Sequence, residues 1–323
     1  MTYLVTGAAG FIGFNTCRRL LERGEKVVGV DEVNDYYDPR LKEARLAVLE
    51  QMPGFTFHRV DISNRHVMEE VASRHRDVTR IIHLAAQAGV RYSLINPYAY
   101  TRSNIEGHLV MLEMARHLPK CEHMAYASSS SVYGLNTKLP FSVDDRVDTP
   151  ISLYAATKKA NEMMSHCYGH LYQIPLTGLR FFTAYGPWGR PDMSAFLFAE
   201  AILAGQPIRV FNNGDMRRDF TYIDDIVSGV VAVADSTPAA GTPAKVYNIG
   251  NHTSEPLMRF IGLIEEALGK KAEILLEPMQ PGDVKETYAD IDAIRNDLGY
   301  EPRTTIDVGV PKFIEWYRSY YGK

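Results

Sequence analysis

The chain has 323 residues, of which 46% are hydrophobic and 11% aromatic, so it can bury a substantial core and does not have the composition of a disordered protein. A formal net charge of -4 provides no basic field for nucleic acid or for an anionic membrane surface. We therefore expect no nucleic-acid or membrane partner, and an α/β protein with one large domain and a smaller lobe.

The cysteines and the N-terminus indicate the compartment. Cys17, Cys121 and Cys167 lie far apart and have the spacing of neither a disulfide framework nor a zinc site. The chain enters a strand-like run at once without a signal-peptide pattern, and no apolar stretch reaches membrane-spanning length. These features predict a soluble cytoplasmic protein without a metal site.

A glycine-rich turn follows the first predicted strand, 3–6, and precedes a helical stretch at 15–23. Glycine at positions 7 and 10 lets the backbone turn tightly and approach a pyrophosphate, and Gly13 allows close packing of helix on strand. The next predicted strand, 26–30, ends in Asp31, near the spacing of about 20 residues at which an acid accepts hydrogen bonds from an adenosine ribose. The pattern predicts a dinucleotide site.

The residue after that acid indicates which dinucleotide binds. Glu32 stands where a binder of the 2′-phosphorylated cofactor more often has arginine. The sequence therefore predicts NAD rather than NADP.

Two further strand ends suit an adenine and a dinucleotide backbone. The predicted strand 55–60 ends in Asp61 and Ile62, whose acid and apolar side chains suit the edge and the face of an adenine. A surface aspartate that caps the next helix is the alternative for Asp61. After the strand 80–84, Ala85 and Ala86 are small enough to let a dinucleotide pass.

Predicted strands at 123–127 and 176–182 complete a set of six that alternate with helices. Such alternation predicts a doubly wound parallel sheet with its ligand site beyond the carboxyl ends of the strands. Past residue 187 the elements become shorter, with predicted strands at 208–211, 246–249 and 273–276 in a smaller lobe. We therefore expect an NAD-binding domain at 1–186 and a mainly substrate-binding lobe at 187–323, with the chain free to cross between them.

Tyr154 and Lys158 lie four residues apart in a stretch, 151–168, that is free of Pro and predicted to be helical, so they share one helical face. An ammonium beside a phenol lowers the phenol pKa from its usual value of about 10, so the tyrosine can take and return an alcohol proton. A hydroxyl of the serine run 128–131 can share that proton. The same spacing also arises by chance in helices, so the pair depends on its context.

Five segments together resemble the extended short-chain dehydrogenase/reductase family of nucleotide-sugar enzymes. They are Gly7-x-x-Gly10-x-x-Gly13, the serine run before Val132-Tyr133-Gly134, Tyr154-x-x-x-Lys158, the segment 180–187 and the segment 218–225. The resemblance implies a Rossmann fold, a firmly held NAD, oxidation of a sugar C4 hydroxyl and return of the hydride. It also implies a homodimer that pairs the long helices predicted at 97–117 and 151–168.

The resemblance assigns roles by position. Tyr154 is the base, Lys158 lowers its pKa and holds the nicotinamide ribose, and Ser129 shares the proton. The expected cofactor contacts are Gly7, Gly10, Phe11, Ile12, Gly13, Asp31, Asn34, Asp61, Ile62, Leu84, Ala85, Ala86, Asn104, Ser128, Tyr154, Lys158 and Tyr185. The expected substrate contacts are Ser129, Ser130, Ser131, Tyr154, Thr183, Arg190, Arg209, Phe211, Arg218 and Asp283.

Segments 34–39 and 185–193 resemble the UDP-glucuronate 4-epimerases within this family. Ser130 and Ser131 stand where related dehydratases and decarboxylases carry acids, so the resemblance favours an epimerase that converts UDP-glucuronic acid to UDP-galacturonic acid. Arg190 and these serines are expected to hold the sugar carboxylate. Gln280 departs from related UDP-galactose 4-epimerases, which place a second diphosphate arginine there.

Three alternatives stay open from the sequence. UDP-glucose/UDP-galactose 4-epimerases share the catalytic residues, and UDP-glucuronate decarboxylases share the substrate. A nucleotide-sensing protein on the same fold would keep the glycine loop and lose the catalytic pair, which this chain retains.

Overall fold

A computed structural model describes residues 1–238, 244–280 and 282–323. The first part of the chain alternates strands with helices. Its elements are β1 (Thr2–Thr6), α1 (Phe11–Glu22), β2 (Lys26–Asp31), α2 (Pro39–Glu50), β3 (Phe55–Arg59), α3 (Arg65–Arg74), β4 (Arg80–His83), α4 (Tyr92–Ile95), α5 (Pro97–Tyr100), α6 (Gly107–His117), β5 (His123–Ser129), α7 (Leu153–Tyr172) and β6 (Leu176–Phe181). A π-helical turn at Thr101–Glu106 joins α5 to α6, and a 3₁₀ turn at Ser130–Tyr133 follows β5.

The second part has shorter strands. Its elements are β7 (Thr183–Tyr185), α8 (Ser194–Ala204), β8 (Ile208–Val210), β9 (Arg217–Arg218), β10 (Phe220–Tyr222), α9 (Ile223–Asp235), β11 (Lys245–Ile249), β12 (Glu255–Pro256), α10 (Leu257–Leu268), β13 (Ile274–Leu276), α11 (Asp292–Leu298) and α12 (Ile306–Tyr321). Three two-stranded sheets pair β10 with β7, β12 with β9 and β13 with β8.

The central sheet contains seven strands of the described part of the chain, in the order β11-β6-β5-β4-β1-β2-β3. All neighbouring pairs are parallel, and the direction of winding reverses between β1 and β4. This confirms the doubly wound parallel sheet, whose ligand crevice lies at that reversal.

The prediction of six strands was wrong by one. The seventh strand, β11, comes from the region that the sequence assigned to the smaller lobe, and it pairs with β6 at the edge of the sheet. Its five residues form a half-buried strand, and such a short strand carries no local signal for the sheet that it joins. The chain therefore returns to the large sheet beyond residue 187.

The sheet buries both of its faces. Tyr3 and Val5 of β1 pack with α1 and α9 residues on one face, whereas Leu4 packs with the α3 and α6 residues on the other. Successive side chains of a strand point to opposite faces, which explains why all five residues of β1 are buried. Within the described ranges no helix combines the length and apolar character that a membrane crossing needs.

The long helix predicted at 97–117 is interrupted. The π-helical turn between α5 and α6 contains Asn104, whose Nδ2 donates to Gln87 O at 3.0 Å and to Thr157 Oγ1 at 3.0 Å. Hydrophobic periodicity does not separate one π turn from an α-helix, so the sequence could not reveal this change. The interruption faces the catalytic helix α7 through Thr157.

Candidate active site

One cleft of about 1060 Å³ opens at the carboxyl ends of the central strands, between the sheet and the second part of the chain. The glycine turn, the serine run, the start of α7 and the loops around Arg190, Arg218 and Asp283 all line it. Single ligand sites usually measure about 300–1,000 Å³, so this cleft has room for two ligands side by side.

The glycine turn is shaped for close approach. Gly7 has φ 73°, and a Cβ on Gly13 would lie 1.9 Å from Gly7 O. A Cβ on Gly7 itself would lie 2.9 Å from Ala85 N, so the turn packs directly against the chain after β4. The N-terminus of α1 follows at Phe11, and its free N–H groups and partial positive charge suit a pyrophosphate.

Asp31 holds this turn in place. Its carboxylate accepts hydrogen bonds from Ala9 N at 3.0 Å and Val33 N at 2.8 Å. It also lines the cleft at the end of β2, where an adenosine ribose would lie. One side chain thus fixes the glycine turn and offers acceptors to a ribose.

Lys42 lines the same end of the cleft, and sequence reasoning missed it. Its Nζ donates to Asn34 O at 2.8 Å and lies 4.6 Å from the ring centre of Tyr37. Burial lowers the pKa of this lysine, and the nearby Asp31 acts in the opposite direction. Local sequence gives no signal for this residue, because nothing in the pattern of α2 shows that one of its lysines points inward.

The alternative for Asp61 as a helix cap is wrong. Asn64 caps α3, because its side chain accepts from Val67 N. Asp61 instead accepts from Ser63 N at 2.9 Å and from Arg102 Nη2 at 2.5 Å. It lines the cleft beside Ile62, as the adenine prediction requires.

The predicted acid–base residues come together at the start of α7. Ser152 caps the helix through its Oγ, which accepts from Ala155 N at 3.1 Å, so Tyr154 lies in the first turn and faces the cleft. Ser129 Oγ accepts from Ser131 N at 3.2 Å and from Ser131 Oγ at 3.0 Å. Both acceptor positions of the Ser129 hydroxyl are thus used, which leaves its proton for the Tyr154 oxygen.

Burial opposes the charged form of both Tyr154 and Lys158. Burial raises the pKa of Tyr154, and the opposing effects come from a hydrogen bond with Ser129 and from the charge of Arg190. Lys158 Nζ donates to Ala127 O at 2.9 Å, and burial lowers the pKa of this lysine to about 8. The Lys158 side chain thus reaches a β5 carbonyl, and its expected action on the Tyr154 phenol stays a prediction.

The four serines after β5 differ in direction. Ser128 also lines the cleft, but it is 2% exposed and its Oγ donates to Glu162 Oε1 at 2.7 Å. Ser129, Ser130 and Ser131 line the cleft, and Ser129 caps the 3₁₀ turn. Three of the four hydroxyls are therefore available to ligands.

Arg190 is held by a carboxylate. Its Nε donates to Asp192 Oδ1 at 3.0 Å and its Nη2 to Oδ2 at 2.5 Å, while Tyr36 Oη donates to the same Oδ2 at 3.0 Å. Burial acts to lower the pKa of Arg190, but Asp192 overcomes this and the pKa is raised. Segments 34–39 and 185–193, which carry the resemblance to UDP-glucuronate 4-epimerases, therefore touch each other through Tyr36 and Asp192.

A second group of arginines lines the far end. Arg218 Nη2 donates to Asp283 Oδ1 at 2.9 Å, and Arg209 Nη2 donates to Glu277 Oε2 at 2.6 Å. Arg91, which the sequence analysis did not select, lies 3.8 Å from Asp283 and 4.6 Å from the ring centre of Phe211. Its loop follows β4, so this cation reaches the second part of the chain from the sheet.

Two predicted cofactor residues do not line the cleft. Asn104 is 2% exposed and accepts from Gln87 N at 2.8 Å, so it supports the chain behind the cleft wall. Tyr185 is 3% exposed, and its hydroxyl donates to Thr305 O at 3.4 Å. The sequence pattern around Asn104 and Tyr185 does not show in which direction either side chain points. The remaining predicted cofactor and substrate residues lie on the cleft wall.

A model of the NAD dependent epimerase/dehydratase family matches residues 3–250. The chain belongs to this family. Protein CapI of Staphylococcus aureus is 49% identical over 100% of both chains. UDP-glucuronate 4-epimerase 4 of Arabidopsis thaliana is 47% identical over 99% of this chain and 76% of that protein.

A solved structure is similar along the whole chain. The crystal structure of UDP-glucuronic acid 4-epimerase from Bacillus cereus in complex with UDP-glucuronic acid and NAD has a TM-score of 0.92 and 34% identity, and the match covers 99% of this chain and 100% of that one. These findings confirm the predicted family, the fold and NAD as the cofactor.

Proposed function

We propose that this chain is an NAD-dependent epimerase that inverts C4 of UDP-glucuronic acid to give UDP-galacturonic acid through a 4-keto intermediate. The observation that carries the proposal is the placement of Tyr154, Ser129 and the Arg190 cation on the wall of one cleft. The similarity to proteins named UDP-glucuronate 4-epimerase supports the choice of sugar.

The cofactor end fits NAD. The glycine turn, the N-terminus of α1 and Asp31 supply the close backbone, the N–H groups and the acceptors that a pyrophosphate and a ribose need. When bound, NAD takes up the C4 hydride and gives it back. We infer that Lys42 binds near the ribose beside Asp31.

The protein moves the proton. Tyr154 takes the proton of the C4 hydroxyl, and Ser129 donates to its oxygen and so stabilises the phenolate. After the keto sugar turns over, it presents the opposite face of C4 for reduction, and the same pair returns the proton to the C4 oxygen. The buried Lys158 stays near the nicotinamide end of the cleft, where an ammonium can donate to a ribose hydroxyl.

The carboxylate end must also prevent a side reaction. A 4-keto glucuronate is a β-keto acid, and it loses carbon dioxide when its carboxylate bond stands perpendicular to the ketone plane. Arg190, with the hydroxyls of Ser130 and Ser131, clamps the carboxylate in another orientation. The serines are neutral at the positions where related decarboxylases and dehydratases carry acids, so no side-chain acid at 130 or 131 assists that loss.

The diphosphate and nucleoside bind at the end of the cleft that Arg91, Arg209 and Arg218 line. Arg218 neutralises the diphosphate, Asp283 binds the uridine ribose, and Arg209 and Phe211 complete the nucleoside end. Arg91 supplies a second cation beside Arg218. It can replace the second diphosphate arginine that related UDP-galactose 4-epimerases carry at the position of Gln280.

Product analysis tests the function. Purified protein incubated with UDP-glucuronic acid should give UDP-galacturonic acid without added NAD, and it should carry NAD(H) as isolated. Formation of a UDP-pentose would indicate the decarboxylase, and a preference for UDP-glucose the glucose epimerase. Absence of turnover on both sugars with NAD bound would favour a nucleotide-sensing protein.

We also propose a homodimer through α6 and α7. Leu109 on α6 is 41% exposed, and Met163 and Leu171 on α7 are 62% and 61% exposed, which places apolar side chains on the outer surface of both helices. Light scattering should give twice the monomer mass, and Met163→Glu should lower it. A monomer mass at all concentrations would reject the dimer.

The remaining assignments are proposals of the same kind. Residues 1–186 hold mainly the cofactor and 187–323 mainly the substrate, although β11 belongs to the large sheet. Cys17, Cys121 and Cys167 are free thiols, which supports a reducing, cytoplasmic compartment.

A further inference from the structure

A buried ion pair lies directly behind the catalytic residues, and the mechanism above does not use it. Arg180 of β6 donates from Nε to Glu162 Oε1 at 2.8 Å and from Nη2 to Glu162 Oε2 at 2.9 Å. The two side chains are 4% and 5% exposed. A buried pair of this kind is weak evidence for stability alone, because the desolvation of two charges opposes their attraction.

The Glu162–Arg180 pair bonds to residues on both sides of Ser129, at Ser128 and at Tyr133. Before the 3₁₀ turn, Ser128 Oγ donates to Glu162 Oε1 at 2.7 Å. At the end of that turn, Arg180 Nη1 donates to Tyr133 Oη at 3.0 Å, and that hydroxyl donates in turn to Asn248 Oδ1 at 2.7 Å. Ser129 lies between these two anchors.

The same face of α7 meets β5 at three successive turns of the helix. Tyr154, Lys158 and Glu162 are spaced four residues apart, so they lie in one row along α7. Lys158 donates to Ala127 O, Glu162 accepts from Ser128 Oγ, and a hydrogen bond with Ser129 acts on the Tyr154 hydroxyl. The contacts of Lys158 and Glu162 therefore fix α7 against the end of β5, and this fixes the position of Tyr154 relative to Ser129.

We infer that Glu162 and Arg180 are positioning residues that hold Ser129 at the hydroxyl of Tyr154. This inference rests on the proposed function, in which Tyr154 and Ser129 move the substrate proton. Neither residue of the ion pair touches the substrate, because the polar atoms of both are used by each other, by Ser128 and by Tyr133. Lys159 also lies 3.6 Å from Glu162 on the outer side.

The test compares Ser128→Ala, Glu162→Gln and the double variant Glu162→Met with Arg180→Met. The double variant removes both charges and keeps volume, so it should fold even where a single change leaves a buried charge unpaired. We expect kcat on UDP-glucuronic acid to fall by about 10- to 100-fold, since a displacement of about 1 Å at reacting groups has effects of that size. KM should stay within about twofold, because the substrate contacts are untouched.

A pH profile distinguishes positioning from a general loss of structure. Ser129 lowers the pKa of Tyr154, so a displaced Ser129 should move the acid limb of kcat/KM to higher pH in the three variants. Glu122→Gln is the matched control, because Glu122 pairs with the buried Arg80 at the opposite end of the sheet. The Glu122→Gln variant should have a lower thermal stability and an unchanged acid limb of the kcat/KM profile.

Crystal structures of the variants give a readout that is independent of activity. The separation between Ser129 Oγ and Tyr154 Oη should increase in the double variant and in Ser128→Ala. An unchanged separation, or kcat losses that follow thermal stability with an unmoved pH limb, would overturn the inference. Failure of the wild type to epimerise UDP-glucuronic acid would instead count against the proposed function, and the structural readout would still decide the positioning role.

Discussion

The two walls of the cleft hold their polar groups in different ways. On the sheet wall, ligand-facing groups are fixed mainly by the backbone: Lys158 Nζ donates to Ala127 O, and Asp31 accepts from two backbone amides. On the wall formed by the second part of the chain, Arg190, Arg209 and Arg218 are each paired with a carboxylate. The polar groups of the sheet wall are therefore positioned by the main chain, whereas the arginines of the other wall are neutralised by neighbouring carboxylates.

This difference suggests a division of labour. Groups held by the main chain keep one geometry, which a hydride and proton transfer needs. A cation paired with a nearby acid stays ionised in a buried place and can share its donors with an anionic substrate. Changes on the sheet wall should therefore affect mainly the chemical step, and changes on the other wall mainly the choice of sugar.

The largest effect is expected for Tyr154→Phe on the sheet wall. The variant lacks the positioned proton acceptor, so turnover should fall by about 10²- to 10⁴-fold while NAD remains bound. Turnover of UDP-glucuronic acid and the NAD content of the purified variant provide the measurement. Near-wild-type turnover would remove Tyr154 from the mechanism and break the division between the walls.

Arg190→Ala tests the opposite wall. A C6 carboxylate needs a cation once it leaves water, whereas a C6 hydroxymethyl group does not, so kcat/KM for UDP-glucuronic acid should fall by about 10²-fold and that for UDP-glucose much less. The variant should also release a larger share of decarboxylated 4-keto-pentose. Product analysis on both sugars measures the effect.

Two controls sharpen the Arg190 experiment. Arg190→Lys keeps the charge and loses the two-point contact, so it should lie between wild type and the alanine variant. Arg209→Ala removes a paired arginine at the nucleoside end and should affect the two sugars equally. Equal losses on both sugars for Arg190→Ala would reject the carboxylate clamp and favour the glucose epimerase.

Lys158→Met separates function from stability on the sheet wall. Burial lowers the folded-state pKa of Lys158 from 10.5 to about 8, so the charged form is unfavourable in the folded protein. Replacing it should raise the free energy of unfolding of NAD-free protein at pH 7 by about 2 kcal/mol, after allowing for the lost bond to Ala127. Turnover should fall, although less than in Tyr154→Phe, because the variant lacks the ammonium proposed to hold the nicotinamide ribose.

The pH dependence of this gain has a definite sign. Between about pH 8 and pH 10.5 the unfolded chain binds the lysine proton and the folded chain releases it, so the wild type becomes more stable as pH rises. The advantage of Lys158→Met should be complete below pH 8 and should disappear towards pH 10.5. Urea unfolding at pH 7 and pH 10 measures it, and a less stable variant at pH 7 would contradict the burial argument.

Asp31→Ala should have the smallest of these effects. The variant loses a ribose acceptor and frees the amides of Ala9 and Val33, so the affinity for NAD should fall by about tenfold. The NAD content after dialysis measures this loss, with the exposed Asp35→Ala as a control. An unchanged NAD content would mean that the glycine turn alone retains the cofactor.

Local spacing in the sequence was enough to predict much of the sheet wall. The glycine turn, Asp31, Ser129, Tyr154 and Lys158 were recognised because each belongs to a short segment with a fixed offset. The bond from Lys158 Nζ to Ala127 O could not be predicted, because the direction of a long side chain depends on its neighbours in space.

By itself, the sequence determined the parallel α/β order, the dinucleotide turn and the catalytic helix, since periodicity and short offsets depend only on residues near in the chain. Only the tertiary structure decided that β11 joins the large sheet, that Asp192 and Tyr36 hold Arg190, and that Arg91 reaches Asp283. These contacts join residues distant in sequence or depend on the direction of one side chain. Their energies arise from packing and burial, which no local pattern encodes.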